Sequence, residues 1–398
     1  MHLMRFNSRP GKRVHPEASI RNTSCAVLAI LASCFLIPVN AAAESNFAQL
    51  SENWRLTGRL QLDGAMYDSQ NPLFQDDTGV RRGRIALKGK LWDVVSMKFE
   101  YELSGSTPGP KSMWVRQQFG KHTTLTVGHF KEPFSLQNST SSRYNTFMER
   151  ALSNMGSPGY RLGAKLVSYD KYWSVATGVT GGALNDKYQM DNEGVGFFAR
   201  AVMRPVSHKN SLVHIGLSSE IRKYDLTDSI QLRSRPESDL TDVRLVDTLA
   251  LTNLDRSLRI ATEFAMKRKA VHFEAEYLTL QVDRIGAAQL DFSGWYAQAG
   301  WFITGESRRY RRSTASFTNT RPDNPFGAWE IALRYSELDL NSAEIAGGSE
   351  SNIGVALNWY ATDDIRVSLN YIDASADPAA TGLNDDVSVI QARFQFIF

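Results

Sequence analysis

The chain has 398 residues, 45 Lys+Arg against 42 Asp+Glu, two cysteines and a mean hydropathy of −0.32. Residues 1–43 set Arg5, Arg9, Lys12, Arg13 and Arg21 against Glu17, so they outweigh the whole formal charge of +3 and leave the remainder near −1; they also hold Cys25 and Cys34. The rest thus excludes disulfides, thiol nucleophiles and cysteine metal sites, lacks the basic excess of a nucleic-acid binder, and has no apolar run long enough for a helical span.

Residues 1–24 are basic and polar, Cys25 to Val39 is apolar, and Ala41-Ala42-Ala43 precedes Glu44. That order predicts a secretory signal peptide over 1–43, cleaved to leave a single domain over 44–398. A membrane anchor is the bland alternative, for which the apolar stretch is short. Leu31-Ala32-Ser33-Cys34 has the shape of a lipoprotein box, but cleavage there would leave Phe35 to Val39, an apolar run, just after the lipidated cysteine.

From Trp54 onward the chain reads as strands: runs of about ten residues alternate apolar with polar between Gly/Asn/Asp/Ser/Pro clusters. Ile365, Val367, Leu369 and Tyr371 alternate with Arg366, Ser368 and Asn370, and Leu258, Ile260, Phe264 and Met266 alternate with Arg259, Glu263 and Lys267. The predicted strands are 54–67, 78–91, 93–103, 111–119, 122–130, 158–169, 171–182, 194–204, 210–223, 256–268, 270–283, 289–304, 325–338, 351–361, 363–374 and 386–398. The even count and the alternation of short and long links fit an all-β, 16-stranded antiparallel transmembrane β-barrel. Long links are expected at 68–77, 131–157, 183–193, 224–255, 339–350 and 375–385. Two links break the alternation: 284–288 is short where a loop is due, and 305–324 is long where a turn is due.

One face of each strand is nearly free of charge, as a lipid-facing surface requires. Examples are Ile85, Leu87 and Leu91; Val95, Met97, Phe99, Tyr101 and Leu103; Trp295, Ala297, Ala299, Trp301 and Ile303; and Trp329, Ile331, Leu333 and Tyr335. A soluble β-sandwich also alternates, but does not need sixteen long strands or a terminus of Phe394-Gln395-Phe396-Ile397-Phe398, which resembles the sorting signal of outer-membrane barrels.

The opposite face points into a lumen. It carries Arg82, Arg84, Lys88, Lys90, Lys98, Arg116, Arg161, Lys165, Arg200, Arg222, Arg259, Lys267, Arg334, Arg366 and Arg393, with Glu100, Glu102, Glu220, Glu263, Glu274, Glu276 and Glu330 among them. Some of these form wall-to-wall ion pairs by expectation, such as Arg259 with a glutamate on 270–283. Segment 131–157, with Lys131, Arg143 and Arg150, is long and partly apolar, so it is expected to fold inward and narrow the pore. Segment 305–324 carries Arg308, Arg309, Arg311, Arg312 and Arg321. A charge run is ordinarily a solvated surface, but at a pore mouth it also focuses the field on anions. Guanidinium groups fork onto oxyanions and stay charged.

Several stretches together resemble the phosphate-selective porin O and P family. They are Arg81-Arg82-Gly83-Arg84; Val127 to Leu136; Phe147-Met148-Glu149-Arg150; Gly294-Trp295-Tyr296 through Thr304-Gly305-Glu306; Gly327-Ala328-Trp329-Glu330 with Leu333-Arg334-Tyr335-Ser336; and Leu357-Asn358-Trp359-Tyr360 with Asn370-Tyr371. The resemblance implies a trimeric barrel in the outer membrane of a Gram-negative bacterium. It also implies inward-folded constriction loops, one of them a periplasmic turn, and an arginine ladder that Arg81, Arg82 and Arg84 begin. The family's lysine-rich constriction is not reproduced: Lys131 is the only lysine in 131–157, and 305–324 has none.

The reading is a passive, anion-selective channel for phosphate or related oxyanions. Its expected pathway is Arg82, Arg84, Arg116, Lys131, Arg143, Arg150, Arg161, Arg200, Arg308, Arg309, Arg311 and Arg312. A homotrimer, inorganic anions and outer-membrane lipids with lipopolysaccharide are the expected partners; no cofactor, metal or nucleic acid is expected. The alternatives are a general porin with weak anion preference, and a barrel plugged by 131–157 and 224–255 that serves as an adhesin or structural element. An enzyme is disfavoured: His122 and His129 lie seven apart on one strand and face opposite sides, and no phosphate loop occurs.

Overall fold

The computed structural model describes residues 49–105, 108–184, 194–225, 228–377 and 386–398. The expected signal peptide and parts of the links 183–193 and 375–385 lie outside them. Sixteen long strands form the wall: β1 Trp54–Asp68, β2 Asp77–Trp92, β3 Val95–Glu102, β4 Gly109–Phe119, β5 Thr123–Lys131, β6 Tyr160–Tyr169, β7 Trp173–Thr180 and β8 Gly196–Ser207. They continue with β9 Ser211–Lys223, β10 Leu254–Arg268, β11 Val271–Arg284, β12 Leu290–Phe302, β13 Ala328–Ser342, β14 Ile345–Tyr360, β15 Ile365–Asp377 and β16 Val387–Ile397. Each pairs antiparallel with its neighbours in sequence, and β1 also pairs with β16 from Arg59↔Ile397 to Asp68↔Ser388, which closes the sheet. Closure leaves no open edge, the condition for placing strands in lipid.

The alternation decides what faces where. On β13, Ile331 and Leu333 point outward and are exposed, while Glu330, Ala332 and Arg334 point inward and are buried. The chain end docks on the seam: Gly58 N–H donates to the Phe398 carbonyl at 2.8 Å, and the Phe398 ring occupies the space a Cβ at Gly58 would need.

All sixteen expected strands are present, with one correction among the links. The stretch 339–350 is not a long loop. β13 and β14 run on to Ser342 and Ile345 and turn over Ala343 and Glu344, with a bulge near Asp339. Asp339, Asn341, Gly347, Gly348 and Ser349 read as turn chemistry, but the ladder runs on through them, with Asp339 and Asn341 exposed and Gly347 and Gly348 buried.

Three connections fold inside. The loop 132–159 after β5 carries a short helix at Leu136–Ser139 and a 3₁₀ turn at Leu152–Gly156. The loop 224–253 after β9 carries a two-residue hairpin pairing Arg233 with Asp247. The turn 303–327 after β12 enters from the opposite end and pairs Tyr310 with Phe317. Leu152 joins Leu232, Val246 and Leu251 against Leu280, Phe292 and Leu338 of the inner wall. Phe147 and Leu245 pack on Ala65, Ala356, Ile372 and Val389. Leu136 meets Phe317 over Leu212 and Ala265, so loop and turn touch within the lumen. Each fully buried Leu or Phe stabilises its dock by about 1.5–3 kcal/mol, and these contacts fill the half of the lumen lined by β9–β16.

Candidate functional site

Inward arginines on the filled side hold the inserted segments in place. Arg200 forks onto Glu263 at 2.9 and 2.7 Å and reaches the carbonyls of Thr314 and Ala315 in the turn 303–327. Arg366 donates to the Asn145 and Thr146 carbonyls, both at 2.6 Å. Arg393 forks onto Asp63 at 2.7 and 2.6 Å and also reaches Glu149 at 2.8 Å. Arg334 pairs with Glu237 of the loop 224–253. Arg308, on the turn itself, pairs with Glu274 of β11; burial lowers its pKa to about 10. Arg259 takes Glu220 of β9 instead of a glutamate on 270–283, because Glu274 and Glu276 are engaged by Arg308 and by loop amides. Glu276 accepts the Leu136 and Gln137 N–H groups and so holds the first turn of the loop 132–159 against the wall.

The wall from β1 to β7 is different. Its inward acids are Glu100 and Glu102 on β3 and Asp63 on β1, and Asp63 belongs to Arg393. Arg84 pairs with Glu102 and Glu100, and Lys98 with Glu100. Arg59 donates to Ser142 Oγ at 2.8 Å, Lys131 to the Asn138 carbonyl at 2.9 Å, and Arg150 to the Gln137 and Thr140 carbonyls at 3.1 and 2.9 Å. Among the described residues Arg59, Lys88, Lys131, Arg143, Arg150 and Arg311 have no carboxylate within ion-pair distance.

These cations repel one another in sequence. Lys131 feels Arg150, Arg84, Arg82 and Arg59; Arg59 feels Arg84, Arg82 and Arg143; Lys98 feels Lys88 and Arg143; and Lys88 feels Arg143 and Arg311. They form a continuous positive strip, from Arg150 and Arg82 toward the loop end, through Arg84, Arg59 and Arg143, to Lys88 and Arg311 toward the turn end. Like charges this close persist only where water or anions screen them.

A bulge enlarges the head of the strip. The register steps from Gln61↔Arg82 to Leu62↔Val80 and skips Arg81, so Arg81 and Arg82 both turn inward. Arg81 forks onto Glu149 at 2.8 and 2.9 Å. Burial disfavours the Glu149 carboxylate, but the charges of Arg81, Arg82 and Arg393 overcome this and hold its pKa well below the ordinary value. In the loop 224–253, burial outweighs Arg334 and raises the pKa of Glu237.

Of the residues expected from sequence, the structure brings Arg82, Arg84, Lys131, Arg143, Arg150 and Arg311 onto this strip. Arg200 and Arg308 are buried in ion pairs. Arg116 and Arg161 lie on β4 and β6, to one side. Arg309 and Arg312 border a cavity of about 660 Å³ at the turn end with Lys209 and Lys269. Arg59, not singled out from sequence, is central. Its signal was available: Leu56, Gly58, Leu60 and Leu62 take the outer face and leave Arg59 inward.

A closed sixteen-strand barrel with an apolar outer face and a charged lumen narrowed by its own loops is an outer-membrane porin. The family model of phosphate-selective porin O and P matches residues 55–398, and the chain belongs to that family. It is similar to Porin O of Pseudomonas aeruginosa, 25% identical over 395 residues that cover 87% of this chain and 88% of the relative. An uncharacterized protein of Caulobacter vibrioides is 28% identical over 383 residues, covering 88% and 75%. Among solved structures, the anion-selective porin from Comamonas acidovorans superposes with a TM-score of 0.58 at 11% identity, covering 87% and 99%. OmpT of Vibrio cholerae, in its trimer form, superposes with a TM-score of 0.53 at 11% identity, covering 87% and 99%.

Proposed function

We propose that the protein is a passive, anion-selective channel whose preferred solutes are phosphate and related oxyanions. The cations of the strip that, among the described residues, have no carboxylate within ion-pair distance, Arg150, Lys131, Arg59, Arg143, Lys88 and Arg311, are the observation that carries the reading. They offer an oxyanion several weak sites in succession, and conduction needs binding that is favourable yet easily left. Arg59 and Arg143 supply forked donors, and Lys88 supplies a point charge. Membership of the phosphate-selective porin O and P family supports this choice of solute, and the likeness to an anion-selective porin supports the preference for anions.

The same reading includes export by a cleaved signal over 1–43, a trimeric assembly, supported by the trimer form of the similar OmpT, and a surround of outer-membrane lipid and lipopolysaccharide. Planar-bilayer recording tests the function. In a KCl gradient the reversal potential is expected on the chloride side, and millimolar phosphate is expected to reduce the chloride current. A cation-side or zero reversal potential without phosphate block would overturn the reading in favour of a general pore, and the absence of any conductance would favour a plugged barrel.

A further inference from the structure

Beside the strip lies a second cavity, of about 290 Å³, between the inner faces of β4–β8, the stem of the loop 132–159 and the tip of the turn 303–327. Strand register gives it two unlike walls. One row of inward positions reads Arg116↔Thr126↔Lys165↔Gly178 across four strands. The next inward row toward the turn end reads Gln118↔Thr124↔Val167↔Ala176↔Arg200. The first row is cationic and the second is aliphatic at its centre, at Val167 and Ala176, where Val202 and Ala315 extend the apolar patch.

The charges in the first row are available. The Arg116 guanidinium lies 4.3 Å from the Trp114 ring centroid and gives Nε–H to Thr126 at 3.0 Å; its other two nitrogens have no partner among the described residues. The Lys165 ammonium lies 4.2 Å from the Phe130 ring centroid, and among the described residues it meets no carboxylate within ion-pair distance. Three further charges line the cavity: Arg200 is held by Glu263, Lys131 donates to the Asn138 carbonyl, and Glu132 accepts from Arg222 and Thr180 while adding a negative charge near Lys165.

Inorganic phosphate would use only half of such a pocket. Its oxygens suit Arg116 and Lys165, but it gains nothing from Val167, Ala176, Val202 and Ala315. Inward rows two residues apart stand about 7 Å from each other, which is about the length of a benzene ring bearing an acid group. A pocket near 300 Å³ lies at the small end of ligand sites. We propose that this pocket is a subsite for small organic oxyanions, an apolar body of about one ring carrying a single phosphate or carboxylate group. The acid docks on Arg116 and Lys165, and the body lies on the apolar patch. It extends the anion-channel reading from bare oxyanions to organic ones.

Phenyl phosphate and benzoate are the probes, with inorganic phosphate as reference. In bilayers, phenyl phosphate is expected to block chloride current at concentrations about tenfold below inorganic phosphate, with benzoate showing the same advantage over acetate. Lys165→Gln should abolish the acid-dependent block. Val167→Thr, which keeps shape and adds a hydroxyl, should cut the phenyl advantage several-fold while leaving block by inorganic phosphate unchanged. Titration calorimetry of the detergent-solubilised protein with phenyl phosphate reads the pocket without reference to conduction. Heat of binding lost in Lys165→Gln would support the subsite even if the pore proved unselective. Equal block by phenyl and inorganic phosphate in the unmodified protein, or binding unaffected by both substitutions, would overturn the proposal.

Discussion

The sharpest test of the strip is Lys88, because the charges acting on it, Arg143, Arg311 and Arg55, are all positive. Its removal leaves no bared acid, so the change in field is the loss of one charge. An ion passing about 6 Å away in a water-like dielectric feels about 0.7 kcal/mol from it. At 0.1 M salt the Debye length of about 10 Å cuts this roughly in half. Chloride gains what potassium loses, so the two ions differ by about 0.7 kcal/mol per charge, about threefold in permeability ratio since 1.4 kcal/mol is tenfold. Lys88→Gln should therefore lower the chloride-to-potassium ratio about threefold. Lys88→Glu with Arg143→Glu removes four charge units and should shift it by about two orders of magnitude, inverting a moderate anion preference. Reversal potential in a tenfold KCl gradient reads both. Arg256→Gln is the control: Arg256 pairs with Asp283 at 2.7 Å on the exposed outer face, and its loss should leave the ratio unchanged. If Lys88→Glu leaves the reversal potential where it was, ions do not pass the strip.

Other consequences follow from how the loops are held. Glu276→Ala orphans the buried Leu136 and Gln137 N–H groups, each worth about 1–3 kcal/mol; excess current noise and a larger single-channel conductance are expected, with Glu276→Gln milder because one acceptor oxygen remains. The two loops should respond to acid with opposite sign. The folded-state pKa of Glu149 is depressed, so its contribution is full above the ordinary value of 4.5 and is lost as pH falls through its lower native value, loosening the loop 132–159. The folded-state pKa of Glu237 is raised, so its contribution is full below 4.5 and is lost as pH rises through its native value, and the loop 224–253 docks better in acid. Site-directed spin labels on the two loops, followed from pH 7 to pH 3, should separate these trends; parallel loosening of both would contradict the assignment. Mass spectrometry of the exported protein should find Glu44 at its N-terminus, and a lipid on Cys34 would instead show lipoprotein processing.

The strands were legible because alternation is local. Leu56, Gly58, Leu60 and Leu62 announce a face wherever the strand pairs, and the parity of Arg82, Arg84 and Lys98 followed. Three things were not local. The extension of β13 and β14 past Asp339 depends on two polar ends finding each other, which turn chemistry alone disguises. The inward turn of Arg81 depends on a bulge set by register against β1. The partner of Arg259 depends on Glu274 and Glu276 being claimed by segments far away in sequence. The candidate site was half legible for the same reason. Alternation places Arg200 and Lys88 inside a barrel, and the length of the links 131–157 and 305–324 points Arg143 and Arg308 the same way, but only the landing place of the loops shows which are neutralised.

On the proposed reading, the placement of acids explains why the pore would run along the cation strip. Inward carboxylates crowd β9–β14, with Glu220, Glu263, Glu274, Glu276, Glu330 and Glu350, while β4–β8 present none among the described residues. Inserted loops need acceptors for their amide N–H groups, and the wall arginines that grip loop carbonyls need counter-charges. Both needs are met only on the acid-rich side, where Glu276 takes the Leu136 and Gln137 N–H groups and Glu263 supports Arg200. The loops settle there, and open space is left against the wall where, among the described residues, Arg116, Lys131 and Lys165 have no carboxylate within ion-pair distance. On this reading, the position of the proposed constriction and its sign have one cause. Moving a carboxylate onto the open wall, as in Thr126→Glu opposite Lys165, should neutralise the field locally and give the loop 132–159 a competing anchor. Conductance and anion preference should then fall together. A variant that loses selectivity at undiminished conductance would show that the two properties are set independently.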